Sequence, residues 1–240
     1  VETWVKSDDA SRPADLVKNE NGTITLTRST YNNNPSDTNS HTSQAALTTR
    51  VIGAESAVYE DGGQGMIDFT VEPGETVYLV TAVGGGGQTY NNAGELTGED
   101  PAAESADLSE NYSDEVSLAE LKEAHQNWWK DYWSASYIDF GTEDAELNSV
   151  QKYYYGAQYI LGCSVRDGKT APGIMGIWCN TDNPKWWNHY QLNYNHNAAY
   201  YGFGSSNRPE FNKAAFDVIL DYMEQGQKNA ESITELQKVD

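Results

Sequence analysis

The chain changes its hydrophobic period once, near Ser117, and that single change restricts the folds open to it. Before it, apolar and threonine residues occur in short runs: Thr23-Ile24-Thr25-Leu26-Thr27, Ala46 to Ile52, Met66 to Val71 and Thr76 to Val83. The first of these alternates strictly, and alternation with period two puts one set of side chains on one face of a strand. Turn-forming clusters separate the runs, among them Asn21-Gly22, Tyr31 to Ser36 and Glu72-Pro73-Gly74-Glu75. Short strands bounded this way suit an antiparallel β-sandwich. After Ser117 the apolar residues return at three- and four-residue steps, the spacing of an amphipathic helix. One passage from strands to helices predicts two domains of different class.

Ser117-Leu118-Ala119-Glu120 has the form of a capping box, and Leu118, Leu121, His125, Trp128, Trp129 and Tyr132 follow it as one stripe. A second helix is expected from about Glu143 to Ser164, ended by Arg166-Asp167-Gly168. A third begins near Asn195, its expected N-cap, and ends by Gly204. The last starts near Pro209-Glu210 and is expected to bury Phe211, Ala215, Phe216, Ile219, Leu220, Tyr222 and Met223. Between strands and helices, Glu95 to Glu115 is acidic and small-residue-rich without periodicity, which reads as a linker or long surface loop. The expected divisions are a β-sandwich portion over 1–92, an acidic linker over 93–116 and a helical part over 117–240.

The 240 residues carry a formal net charge of -21, so nucleic acid and anionic membrane surfaces would repel the chain. A neutral, hydroxyl-rich ligand meets no such penalty. No run approaches the roughly 20 apolar residues that a membrane helix needs, and no membrane insertion is expected. The opening residues lack the basic and apolar segments of a signal peptide, which reads as a processed or internal start. Cys163 and Cys179 are too few for a disulfide scaffold and are not spaced as in a zinc ribbon. Two buried thiols are the simpler reading, and a bond between them is the other. Gly84 to Gly87 lack a following lysine and hydroxyl in Walker spacing, which argues against a nucleotide cradle.

The stretch from Pro172 to Tyr201 concentrates side chains able to grip a sugar. Trp178, Trp186, Trp187, Tyr190, Tyr194, Tyr200 and Tyr201 lie among Asn188, Gln191, Asn193, Asn195, His196 and Asn197, with Asn180, Asp182 and Asn183 close by. Flat aromatic faces stack on a pyranose ring while amides satisfy its hydroxyls. An aromatic plug in a helical core has the same composition, so both readings stand. His125 reads first as a packed, hydrogen-bonded residue and Trp128, Trp129 and Trp133 as core. Glycoside hydrolysis needs two placed carboxyl groups; Asp131, Asp167, Asp182 and Glu210 are available without evident pairing. Asp182 and its neighbouring asparagines could hold calcium but lack the EF-hand order, and no other cofactor is expected.

An ordered set of residues resembles the family 95 glycoside hydrolases, of the alpha-L-fucosidase and alpha-L-galactosidase type. The set is Tyr159-Ile160-Leu161, Ser164 to Gly168, Pro172, Gly176-Ile177-Trp178, Trp187-Asn188, Asn193-Tyr194-Asn195, Tyr200-Tyr201, Asn207 and Glu210. The resemblance reaches back to Leu118 through Phe140 as a first barrel helix and to Phe69 through Val83 as the last strands of an N-terminal sandwich. It implies the first helices of an (α/α)6 barrel, incomplete in this chain, in a secreted, bacterial-type inverting exo-glycosidase. It further implies that Asn193 and Asn195 help a base orient water, and that Trp178, Trp186, Trp187, Asn188, Tyr194, His196 and Tyr201 contact an oligosaccharide or glycan. The acid and base would lie in later helices, on the same polypeptide or another fragment. Met175, Ala198, Ala199 and Tyr201 depart from the family's usual glutamine, methionine, asparagine and tryptophan, so the sugar is left open. A non-catalytic carbohydrate binder and a purely structural assembly are the rival readings.

Overall fold

A computed structural model describes residues 2–3, 16–29, 44–61, 64–85, 89–90, 96–98, 100–179 and 185–233. The chain divides into two compact units, Val1–Gln126 and Asn127–Asp240. Its class is mixed, with antiparallel sheets followed by helices.

In the first unit, β2 (Leu16–Glu20), β3 (Thr23–Ser29), β4 (Gln44–Ile52) and β7 (Tyr78–Gly85) form one antiparallel sheet in that order. β1 (Glu2–Thr3), β6 (Gln64–Phe69) and β5 (Ser56–Asp61) form a second, and β8 (Thr89–Tyr90) pairs with β9 (Leu96–Thr97). Asn21 and Gly22, at φ 51° and 72°, make the two-residue turn that sets the β2–β3 register. Ile24 and Leu26 point from β3 into a core with Ile67 of β6, flanked by Val17, Val51, Val58 and Phe69. Gly65 is required there, because a Cβ would collide with Ile24.

The opposite face of the four-stranded sheet is lined with hydroxyls. Thr25 Oγ1 lies 2.9 Å from Thr48 Oγ1, which lies 2.7 Å from Ser105 Oγ. Ser105 belongs to α1 (Pro101–Asn111), where the sequence predicts an irregular linker. The difference has a physical cause: the helix buries Ala102, Ser105 and Ser109, small residues that leave no hydrophobic stripe to read. Asp100 caps it by accepting from Ala102 N–H at 2.9 Å, and Arg50 Nε donates to Ser109 Oγ at 2.8 Å. Gly84 lets the helix come close, since a Cβ there would strike the Pro101 carbonyl.

The helix α2 (Glu115–Ser134) begins before the expected capping box. Asp114 and Ser117 make the reciprocal bonds instead, with Ser117 N–H donating to Asp114 Oδ1 at 2.8 Å. The unit Asn127–Asp240 continues with α3 (Ala145–Ser164), α4 (Tyr194–Ser205) and α5 (Asn212–Ser232), the last introduced by a 3-10 turn at Pro209–Phe211. Asp144 caps α3 through Glu146 and Leu147 N–H groups at 2.9 and 3.0 Å. Gly162 of α3 seats the rings of Trp129 and Tyr132, each 3.0 Å from where a Cβ would stand. The Tyr132 hydroxyl donates to the Gln158 carbonyl at 2.7 Å. A second core joins Val165, Ala171, Tyr200, Phe203, Ala214 and Ala215.

Three expectations are corrected. His125 is exposed rather than packed in a core. On α5, Ala214 and Ala215 are buried, whereas Phe216, Leu220 and Met223 are 59%, 59% and 61% exposed. The two cysteines are free thiols, as the simpler reading has it, but they are not both buried: Cys163 is half-buried and Cys179 exposed.

Arg208, 1% exposed, is the largest fully buried side chain among the described residues. It donates to the carbonyls of Tyr132 and Ser206, each at 2.7 Å, and to Ser136 Oγ at 2.8 Å, with its guanidinium 4.3 Å from the Tyr132 ring centre. A lysine keeps the charge but not the planar fork that serves these acceptors together. Arg208→Lys is therefore expected to cost about 2–4 kcal/mol, seen as a lower urea midpoint by tryptophan fluorescence; an unchanged midpoint would remove this role.

Candidate functional site

The second unit contains a cavity of about 310 Å³. The end of α3 supplies Ile160, Leu161 and Ser164; the first turns of α4 supply Asn195, His196, Ala199 and Tyr200; the loop from Pro172 to Trp178 closes the third side. The cavity is apolar over most of its wall, with Asn195, His196 and Ser164 at its polar positions. An apolar wall bearing a few aimed polar groups is how small-ligand sites hold and orient a molecule.

Local sequence explains the three sides. Val165 N–H bonds the Leu161 carbonyl at 2.9 Å and closes α3, and Arg166 reaches back to the carbonyls of Gly162 and Val165. Its guanidinium lies 3.9 Å over the Trp128 ring. Gly168, at φ 71°, turns the chain. Gly176, at φ 67°, ends a tight turn in which its N–H donates to the Gly173 carbonyl at 2.9 Å. Half-exposed Trp178 follows and lines the cavity, with its ring against Gly176.

Of the residues expected to form the site, Trp178, Asn195 and His196 line this cavity. His196 is 3% exposed, its Nε2 is 3.5 Å from the Ala215 carbonyl oxygen, and Tyr190 and Tyr200 pack on its ring at 5.5 and 5.0 Å. Asn195 is in the first turn of α4 and is not its N-cap; Asn193 holds that position, without a side-chain capping bond. The helix thus starts between the two asparagines, and Asn193 is not part of the cavity wall. Tyr194 and Tyr201 are 73% and 65% exposed on α4, and Trp186 is exposed in a 3-10 turn, Lys185–Asn188, at φ 51°. Asn188 is engaged with the loop rather than facing the cavity. The Trp187 side chain and Asn180, Asp182 and Asn183 lie outside the described residues.

The carboxylates considered for acid and base chemistry are elsewhere. Asp167 is exposed and paired with Lys213 at 2.9 Å; that hydrogen bond and charge hold its carboxyl below the usual range and raise the Lys213 ammonium. Asp131 and Glu210 are exposed. Among the described residues, no aspartate or glutamate lines the cavity. The groups present can bind and orient a neutral ligand. Sequence reasoning missed Ser164 and the bonds made by Asn188 and Tyr190; no local pattern announces them.

The model of the Glycosyl hydrolase family 95 catalytic domain matches residues 103–238, more than half of the chain, and the chain belongs to that family. A search of curated proteins finds no match.

Tyr200, on the cavity wall, gives a pH test. Burial, with a smaller push from neighbouring Tyr190, raises its hydroxyl to about 12. Since the unfolded value is about 10, the stability gained from neutral Tyr200 is complete below pH ~10 and is lost as pH climbs toward the folded value. Tyr200→Phe is expected to raise the midpoint of alkaline unfolding, followed by tyrosinate absorbance and fluorescence. An unchanged midpoint would mean that the hydroxyl is not buried.

Proposed function

We propose that this chain carries part of the catalytic barrel of an inverting exo-glycoside hydrolase acting on terminal alpha-L-fucoside- or alpha-L-galactoside-like sugars of glycans. The observation that carries the proposal is the cavity at which Trp178, Asn195 and His196 converge in a chain of family 95. The Trp178 ring would stack on the apolar face of the sugar, and the Asn195 carboxamide and the His196 ring would bond hydroxyls or water. The mostly apolar wall favours a sugar with a deoxygenated edge, and the net charge of -21 favours a neutral one.

In an inverting mechanism an acid protonates the leaving oxygen while a base activates water on the opposite face of the ring. We assign Asn195, on the cavity wall, to orientation of that water; Asn193, off the wall, shares the role only by the family resemblance, and the acid and base fall to later helices of the barrel. The exposed apolar side chains of α3 and α5, among them Leu147, Val150, Phe216 and Leu220, support further helices packing over them. Such a barrel would follow a β-sandwich formed by the first unit, in a secreted enzyme. Tyr194, Tyr201 and Trp186, exposed around α4 and the preceding turn, would contact the outer part of a glycan.

In the complete enzyme, Asn195→Ala is expected to lower kcat about 100-fold or more with a small change in KM, as for loss of a group that positions a reactant. Turnover unchanged by Asn193→Ala and by Asn195→Ala would remove the assignment. Sugar binding with no turnover by the complete protein would favour a non-catalytic binder.

A further inference from the structure

One wall of the cavity, the loop from Ala171 to Gly176, lies outside the flanking helices and is held by a separate piece of chain. We propose that Asn188 is a positioning residue that fixes this wall and does not itself touch the sugar; the proposal rests on the reading of this cavity as the sugar pocket. Met175 N–H donates to Asn188 Oδ1 at 2.8 Å, and Ile174 N–H donates to the His189 carbonyl at 3.1 Å. The Tyr190 hydroxyl donates to the Ala171 carbonyl at 2.8 Å. Three consecutive residues, Asn188, His189 and Tyr190, thus tie the loop at three points.

The steric fit is as specific as the bonds. Gly173 lies against Asn188, so that a Cβ on it would collide with the Asn188 carbonyl oxygen and stand 2.6 Å from Oδ1. Gly173, Ile174, Met175 and Gly176 line the cavity, whereas Asn188 stands behind them, outside the lining. The backbone of Asn188 is left-handed, at φ 54°, as are those of Trp186 at 51° and Gln191 at 50°. Most side chains disfavour that region, and asparagine tolerates it. Asparagine therefore meets two demands together, a left-handed backbone and a carbonyl acceptor aimed at Met175.

Two substitutions separate these demands from sugar contact. Asn188→Gly keeps the left-handed backbone and removes the acceptor, while Asn188→Asp keeps an acceptor oxygen and removes the amide donor. Amide exchange at Met175 by NMR, affinity for L-fucose and L-galactose by tryptophan fluorescence, and Tm are measured on all three proteins. In Asn188→Gly, Met175 exchange is expected to rise and affinity to fall, each by about 10-fold or more, with Tm little changed. Asn188→Asp is expected to restore both.

Met175 equally protected in Asn188→Gly would overturn the clasp. Affinity lost in Asn188→Asp while Met175 stays protected would overturn it too, since that pattern marks an amide contact with the sugar. If the complete wild-type enzyme binds neither sugar, the pocket reading fails and takes the link to binding with it, while the exchange data still decide whether Asn188 holds the loop.

Discussion

A buried positive charge that, among the described residues, has no carboxylate partner organises the helical unit. Arg208 is buried, and among the described residues its acceptors are the carbonyls of Tyr132 and Ser206 and the hydroxyl of Ser136. Tyr132 is in the last turn of α2 and Ser206 is the C-cap of α4. Helix C-termini carry unpaired carbonyls and the negative end of the helix dipole. Neither helix has a basic residue in its own last turn, and α3 has none either. Arg208 serves two of these ends and Arg166 the third, through the carbonyls of Gly162 and Val165. Burying a charge is expensive unless its donors are satisfied; here the helix ends supply most of the compensation, although Arg208 Nε has no partner among the described residues.

The aromatic residues complete this arrangement. Trp128 and Tyr132 stack with ring centres 5.2 Å apart, Arg166 lies over the first and Arg208 over the second. Phe211 meets Tyr132 edge-on at 5.6 Å and stacks on Phe203 at 5.2 Å, which carries the packing into α4. The end of α3 and the start of α4 are two sides of the cavity. The position of Asn195 and His196 relative to Ser164 therefore depends on side chains outside the cavity wall.

What the sequence discloses follows the range of each interaction. Strand β3 and helix α3 are legible because their patterning is local: strict alternation from Thr23 to Thr27, and a bounded helical segment ending at Ser164. Helix α1 is hidden because its buried face is alanine and serine, and β5 because its side chains are largely exposed. The α5 stripe is legible as a pattern, yet most of it is uncovered in this chain. In the candidate site, the aromatic and amide-rich stretch supplies Trp178, Asn195 and His196 to one cavity. The helix start between Asn193 and Asn195, the clasp from Asn188 to Met175, and the role of Arg208 each depend on partners or backbone angles that spacing does not encode.

The most direct test of the account is whether a sugar sits against Trp178 in this cavity. Saturation-transfer NMR with L-fucose and the complete enzyme would report which sugar protons lie on the protein. The account predicts saturation of the methyl and of one face of the ring in the wild type, and its loss in Trp178→Ala with the fold intact. Equal saturation in both proteins would contradict it.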